Sequence, residues 1–283
     1  RWDVPAIVIV PESAAEWMYT TKPPGERSPL LICLSGATYL DAITMVGHMI
    51  ERFGEQLVRE GGAFNVARRD SMGVPVLRAA QAMGRIPDHY FQAVGSGTGG
   101  IAAHEAALRL AEAGTQGGPM RLHLVQNQPF TPMYDAWSQD AETVELMPRE
   151  EVLKRVSQTY TSMLSNAKPP YSIRGGVRDI LKATNGEMYA VSNDEARSGT
   201  ERVTRHHGFV PRPEAGAAMA GLVQAAERGT IAKDEVVLVH LTGGGWQRSI
   251  EELGRAQYPA QHTLPVDDVG GVADAIASYL ERV

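Results

Sequence analysis

The stretch Val94-Gly95-Ser96-Gly97-Thr98-Gly99-Gly100 constrains this chain more than any other. It follows an apolar run, Tyr90 to Val94, and opens a helix-patterned segment, Ile101-Ala102-Ala103-His104-Glu105-Ala106-Ala107-Leu108-Arg109-Leu110. Four glycines in six positions leave backbone N–H groups uncovered at a helix N-terminus, where the helix dipole favours an anion. A strand, a tight glycine turn and a helix form the repeating unit of an α/β protein.

The rest of the chain repeats that alternation. Ala6–Val10 and Pro29–Leu34 are short β-branched or apolar runs of the kind buried in parallel sheets. A long amphipathic segment follows from Tyr39 to Arg59, closed by Glu60-Gly61-Gly62, with Met45, Met49 and Ile50 on its core face. Helical patterning returns at Gly73–Met83 and after the glycine loop to Ala113. Arg121–Gln126 and Met188–Ser192 read as strands, and Asn193-Asp194-Glu195 caps a helix ending at Gly208. Between Pro129 and Pro170 the pattern is irregular, with one helix near Arg149–Ser165. Glu214–Arg228 is an alanine-rich helix, Val236–Leu241 a strand interrupted only by His240, and Val272–Arg282 a final helix. The expectation is a three-layer αβα fold with mostly parallel sheets.

Net charge is −6 with both signs interspersed, so no basic patch suggests nucleic acid or an anionic membrane. The only cysteine, Cys33, sits inside an apolar run and reads as a buried small hydrophobe. With no 18-residue apolar window and no signal peptide, the chain reads as soluble and cytoplasmic. It begins Arg1-Trp2-Asp3 without methionine and enters a strand at once, which suggests a preceding segment.

Three ligands compete for the glycine loop. Gly95, Gly97 and Gly100 satisfy the dinucleotide spacing, but the next strand ends in Gln126-Asn127, without the acidic residue that takes a ribose. A nucleotide-binding loop of the Walker type needs Lys-Ser or Lys-Thr, and Ile101-Ala102 stands there instead. A bare turn would not call for so many glycines, each of which adds unfolded-state entropy. A compact nest remains: N–H groups of Gly95 to Gly100 with the hydroxyls of Ser96 and Thr98. It suits a phosphate monoester such as pyridoxal phosphate. The second cluster, Leu241-Thr242-Gly243-Gly244-Gly245, ends a buried strand, where a Thr hydroxyl could meet a pyridine nitrogen.

Asn65–Gly73, Pro87–Leu110, Gln126–Met133, Pro169–Val177 and Leu241–Gly245 together resemble fold-type II pyridoxal-phosphate enzymes, the threonine synthase and tryptophan synthase β-like family. The resemblance implies that Gly95, Ser96, Gly97, Thr98 and Gly99 bind the cofactor phosphate and Thr242 the pyridine nitrogen. It implies a smaller N-terminal domain ending at residue 66 and a large cofactor domain over 67–283. The family's Schiff-base lysine falls upstream of the part matched by Arg1; Lys22, Lys154, Lys168, Lys182 and Lys233 all read as solvated charges. The chain is thus expected to be the C-terminal two-thirds of a longer enzyme.

Within the family, the same stretches imply β-replacement on O-phospho-L-serine by sulfite, giving L-cysteate and phosphate. A threonine synthase-like reaction on O-phosphohomoserine, or replacement by a thiol or sulfide, stays open, as does a non-catalytic module binding a phosphorylated metabolite. Arg68, Arg69 and Arg174 are candidates for a second anion site. His206-His207 lacks the companions of a metal site, and His104 reads as structural. A homo-oligomer, dimer or trimer, is expected.

Overall fold

The computed structural model describes residues 4–22, 24–25, 27–243 and 246–283, the last segment by backbone alone over 246–249. Residues 244 and 245 of the second glycine cluster therefore lie outside the described residues. Strands β1 (Ile7–Pro11), β2 (Tyr19–Thr20) and β3 (Leu30–Ser35) come first, then helices α1 (Tyr39–Phe53), α2 (Val66–Met72) and α3 (Val74–Met83). Next come β4 (His89–Ala93), α4 (Thr98–Glu112), β5 (Arg121–Asn127), α5 (Pro132–Ser138), α6 (Arg149–Gln158) and α7 (Val177–Ala183). They are followed by β6 (Glu187–Val191), α8 (Asn193–His207), α9 (Pro213–Glu227) and β7 (Val237–Val239). The remaining elements are α10 (Trp246–Leu253), β8 (Ala256–Gln257), β9 (His262–Pro265) and α11 (Val269–Leu280). Mostly parallel sheets flanked by helices make this an α/β protein.

Contacts divide the chain into two compact units, one running to Glu60 and resuming at Trp246, the other between them. In the first unit, β1, β3 and β9 form a parallel sheet. Its centre is β3, whose Leu30 to Leu34 are all buried, as a strand covered on both faces must be. Met45 and Met49 of α1 and Ile276 and Tyr279 of α11 complete that core. Thr38 and Asp41 close a capping box at the start of α1. The helix stops at Gly54 instead of reaching Arg59, because Gly54 takes a positive φ and turns the chain out.

The expected domain boundary differs from this division. The large domain expected over 67–283 includes the residues from 246 onward, whereas β9 pairs with β3 in the first unit, Ile32 facing His262. That pairing joins strands more than two hundred residues apart, and local periodicity carries no trace of it.

The second unit holds a parallel sheet in the order β6-β5-β4-β7. Side chains alternate between its faces. Tyr90, Leu122, Leu124 and Met188 pack with Ile101 of α4, Met133 of α5 and Val177 of α7. Phe91, Val125, Tyr189 and Val191 pack on the other face with Ala196 of α8 and Ala217 of α9. This is the three-layer arrangement expected. On the second face, polar residues at the strand starts also interlock. His89 Nδ1 lies 2.9 Å from His123 Nε2, His123 Nδ1 lies 3.1 Å from the Tyr189 hydroxyl, and Glu235 stands 3.0 Å from His89 Nε2.

Helix α8 is capped by Ser192, with Glu195 closing a box, and ends at Gly208 as expected. The patterning at Gly73–Met83 is preceded by a separate helix, α2, capped by Asn65. The helix placed at Arg149–Ser165 ends at Gln158.

Candidate functional site

Every part of the candidate site lies in the second unit. Strand β4 ends at Ala93, and Val94 N–H still donates to Val125 O (2.9 Å). Beyond it the chain leaves the sheet, and α4 begins at Thr98 with Gly97 as its N-cap. Ile101 N–H is the first to reach back into the turn, bonding Gly97 O at 3.1 Å. The N–H groups of Gly95, Ser96, Gly97, Gly99 and Gly100 donate to no backbone carbonyl among the described residues. Ser96 Oγ accepts from Thr98 N–H (3.3 Å) and lies 3.0 Å from Thr98 Oγ1, which folds the turn on itself.

The glycines have packing reasons as well. Gly97 has φ 77°, the left-handed region, and a Cβ there would overlap Val177 at the start of α7. A Cβ on Gly99 would stand 2.5 Å from both Gln92 Oε1 and Nε2, and one on Gly95 3.1 Å from Leu164 Cα. The turn is thus a layer of bare backbone pressed between β4, α7 and the segment before Asn166. Close packing alone would require these glycines; the unclaimed N–H groups are the separate feature that points to an anion.

Strand β7 reaches the same edge of the sheet, where ligands of α/β folds sit. His240 N–H bonds Phe91 O (2.8 Å), and Thr242 N–H turns back to His240 O (3.0 Å). The Thr242 hydroxyl oxygen is buried and has no hydrogen-bond partner among the described residues. A buried hydroxyl in that state calls for a ligand or water. Gly243 packs against the stem of Arg212, 2.6 Å from its Cδ when a Cβ is built, and Arg212 pairs with the buried Glu214 (3.1 Å). On β5, Gln126 Oε1 accepts from the N–H groups of Met133 (2.9 Å) and Tyr134 (3.0 Å), while its buried Nε2 has no partner among the described residues.

Of the three arginines, Arg68 and Arg69 lie on α2 and Arg174 in the loop before α7. Arg69 Nη1 donates to Ala63 O (3.0 Å) and Nε lies 3.3 Å from Glu105 Oε2, binding α2 to α4. Glu105 is seven residues past Thr98, so this contact sits about 10 Å down the helix from the turn. Arg68 is half-buried on the same short helix. Arg174 is exposed, three residues before the Val177 that touches Gly97, and makes no ion pair or hydrogen bond among the described residues. All five lysines are exposed. Among the described residues no cluster of three His, Cys, Asp or Glu could hold a metal, and no helix is long and apolar enough to cross a membrane.

Sequence reasoning passed over Tyr90, Gln92 and Gln126. The available signal was the presence of polar side chains inside strands that are otherwise buried, as it was for His240.

A parallel sheet covered on both faces, with unclaimed N–H groups and a buried hydroxyl at its carboxyl edge, defines a class: α/β domains that hold a ligand at their strand ends. A family model described as pyridoxal-phosphate dependent enzyme matches residues 3–243, and the chain belongs to that family. It is 45% identical to a cysteate synthase of Methanoregula boonei over all of its own length and 65% of that protein's. It is 40% identical to a cysteate synthase of Methanosarcina acetivorans, covering 93% of this chain and 63% of the relative. The chain thus spans slightly less than two thirds of these relatives.

Two solved structures share the fold. One is an O-ureido-L-serine synthase variant bound to O-ureido-L-serine (TM-score 0.51, 14% identity, 88% of this chain and 74% of that one). The other is a processed threonine deaminase isoform of Solanum lycopersicum (TM-score 0.54, 11% identity, 88% and 68%).

Proposed function

We propose that the second unit binds pyridoxal phosphate, with the phosphate on the turn from Gly95 to Gly99 and the ring nitrogen on Thr242, and that the protein is a cytoplasmic cysteate synthase. The observation that carries the reading is the pairing of unclaimed N–H groups and a buried, unpartnered Thr242 hydroxyl on neighbouring strand ends of one sheet. The residues fit the group: neutral donors for the phosphate, with Ser96 and Thr98 hydroxyls beside them, and a neutral hydroxyl for the ring.

When bound, the cofactor supplies an electron sink that labilises the α-proton of an amino acid and allows its β-substituent to leave. This chain's contribution is orientation and electrostatics. The helix dipole of α4 and the N–H groups would hold the phosphate without a cation. Thr242 Oγ would donate a hydrogen bond to the ring nitrogen while keeping its proton, so the nitrogen stays uncharged, which disfavours transamination and favours replacement at Cβ. The substrates proposed are O-phospho-L-serine and sulfite, the products L-cysteate and phosphate, and the assembly a homo-oligomer. Both substrates are anionic; Arg174, exposed in the loop before α7, is the proposed anion contact. No catalytic lysine is assigned to this chain.

The test is the full-length gene product supplied with pyridoxal phosphate, O-phospho-L-serine and sulfite. Release of cysteate and phosphate in equal amounts supports the reading. Threonine formed from O-phosphohomoserine, or no product from either substrate, refutes it.

A further inference from the structure

Three polar side chains interrupt the apolar face of the sheet beneath α4, and cofactor contact gives none of them a role. Tyr90 and Gln92 are two apart on β4 and share a face. The Tyr90 hydroxyl lies 3.1 Å from Gln92 Oε1 and 2.7 Å from His240 Nδ1. Tyr90 is 1% exposed, in a cluster built mainly from Leu, Ile, Val, Met and Ala with Tyr171, and Gln92 beside it is 5% exposed. A polar chain in such surroundings is poorly compensated unless every member is paired, and apolar residues would fill the space as well.

Each end of the chain touches one half of the candidate site. The Gln92 amide lies directly under Gly99, in the first turn of α4. His240 is tied to β4 through its N–H and carries the Thr242 turn through its carbonyl. One proton arrangement serves both contacts: Tyr90 donates to Gln92 Oε1, which can only accept, and accepts from His240 Nδ1–H. Burial supports it, pushing the Tyr90 phenol well above its ordinary pKa and holding His240 below its own, so both stay neutral.

We infer that Tyr90 and His240 are positioning residues which, with Gln92, form a buried strut fixing the Thr242 turn relative to the glycine turn, so that the phosphate and ring ends of one ligand meet their donors together. The identity of that ligand rests on the cofactor reading above; the strut itself does not.

The test compares pyridoxal phosphate with inorganic phosphate as probes for this chain and its Tyr90→Phe, His240→Leu and His240→Asn variants. Phosphate needs one end of the site and pyridoxal phosphate needs both. Tyr90→Phe and His240→Leu are expected to weaken pyridoxal phosphate about tenfold, the equivalent of one hydrogen bond, and to leave phosphate within about twofold. His240→Asn, whose amide reproduces Nδ1, is expected to restore most of the loss. Hydrogen exchange without ligand gives the second readout: Tyr90→Phe should speed exchange at the Thr242 N–H. Equal loss for both probes, unchanged pyridoxal phosphate binding, or unchanged Thr242 exchange overturns the strut. If the unaltered chain binds pyridoxal phosphate no better than phosphate, the cofactor reading falls, and exchange at Thr242 alone decides the strut.

Discussion

Gly97→Ala should be among the most damaging single-methyl additions in the second unit. Two penalties combine at this position. An alanine at φ 77° carries about 1–2 kcal/mol of left-handed strain. Its methyl would also overlap Cγ2 of Val177, which is fully buried and cannot swing away, adding about 1–3 kcal/mol of overpacking. The sum is about 2–5 kcal/mol. Val177→Ala alone should cost about 2 kcal/mol through lost burial and the cavity it leaves. The double variant must then be less destabilised than the two singles added, by about 1–3 kcal/mol, because the second change removes the overlap created by the first. The assay is denaturant unfolding followed by Trp137, which packs on the core of this unit, in a chain whose Trp2, Trp17 and Trp246 are phenylalanine. Additivity within about 0.5 kcal/mol would refute the packing of the turn against α7.

Other consequences are as specific. His123 is fully buried, and burial, with His89 and Arg121 nearby, lowers its pKa from 6.5 to about 3. Since the folded value is the lower one, its neutral form stabilises the fold fully above pH 6.5, and that contribution drains as pH falls toward 3, by up to about 1.4 kcal/mol per unit. His123→Gln should flatten the fall in unfolding free energy over that window; an unchanged slope would contradict the assignment. Gly216→Ala should separate α8 from α9, because its methyl would meet Ala196 O and Thr200 Oγ1, with a loss of about 3 kcal/mol or more in the same unfolding assay. Arg69→Ala should cost no more than about 1 kcal/mol, its pair with Glu105 being part-exposed, and should leave pyridoxal phosphate affinity unchanged. A marked affinity loss would return Arg69 to the site.

How much of this was legible depended on whether the information was local. The strand–turn–helix from Tyr90 to Glu112 and the parallel character of the sheet follow from short-range pattern, and the structure has both. The capping of α1 by Thr38 and α2 by Asn65 was equally local, yet α2 was missed, because its seven residues offer too short a period to read. Helix α7 was missed for the same reason. The pairing of β9 with β3 depends on contacts across nearly the whole chain, and no local signal encodes it.

The site shows the same division. The glycines and Thr242 stand out in the sequence, but their neighbours do not. That Gly97 faces Val177, or that Gly99 lies on the Gln92 amide, emerges only when α7 and β4 are folded against the turn. Adjacent Arg68 and Arg69 suggested an anion site, whereas Arg69 is occupied in joining two helices. A guanidinium's partner is set by tertiary packing, which charge pattern alone does not specify.

The central claim, that one sheet edge holds both ends of pyridoxal phosphate, is tested most directly by amide NMR of the ¹⁵N-labelled chain during titration with pyridoxal phosphate. The account predicts that the largest shifts fall on the N–H groups of Ser96, Gly97, Gly99 and Gly100 together with Thr242, saturating at the same ligand concentration. Shifts centred elsewhere, or a glycine turn that responds while Thr242 does not, would contradict it.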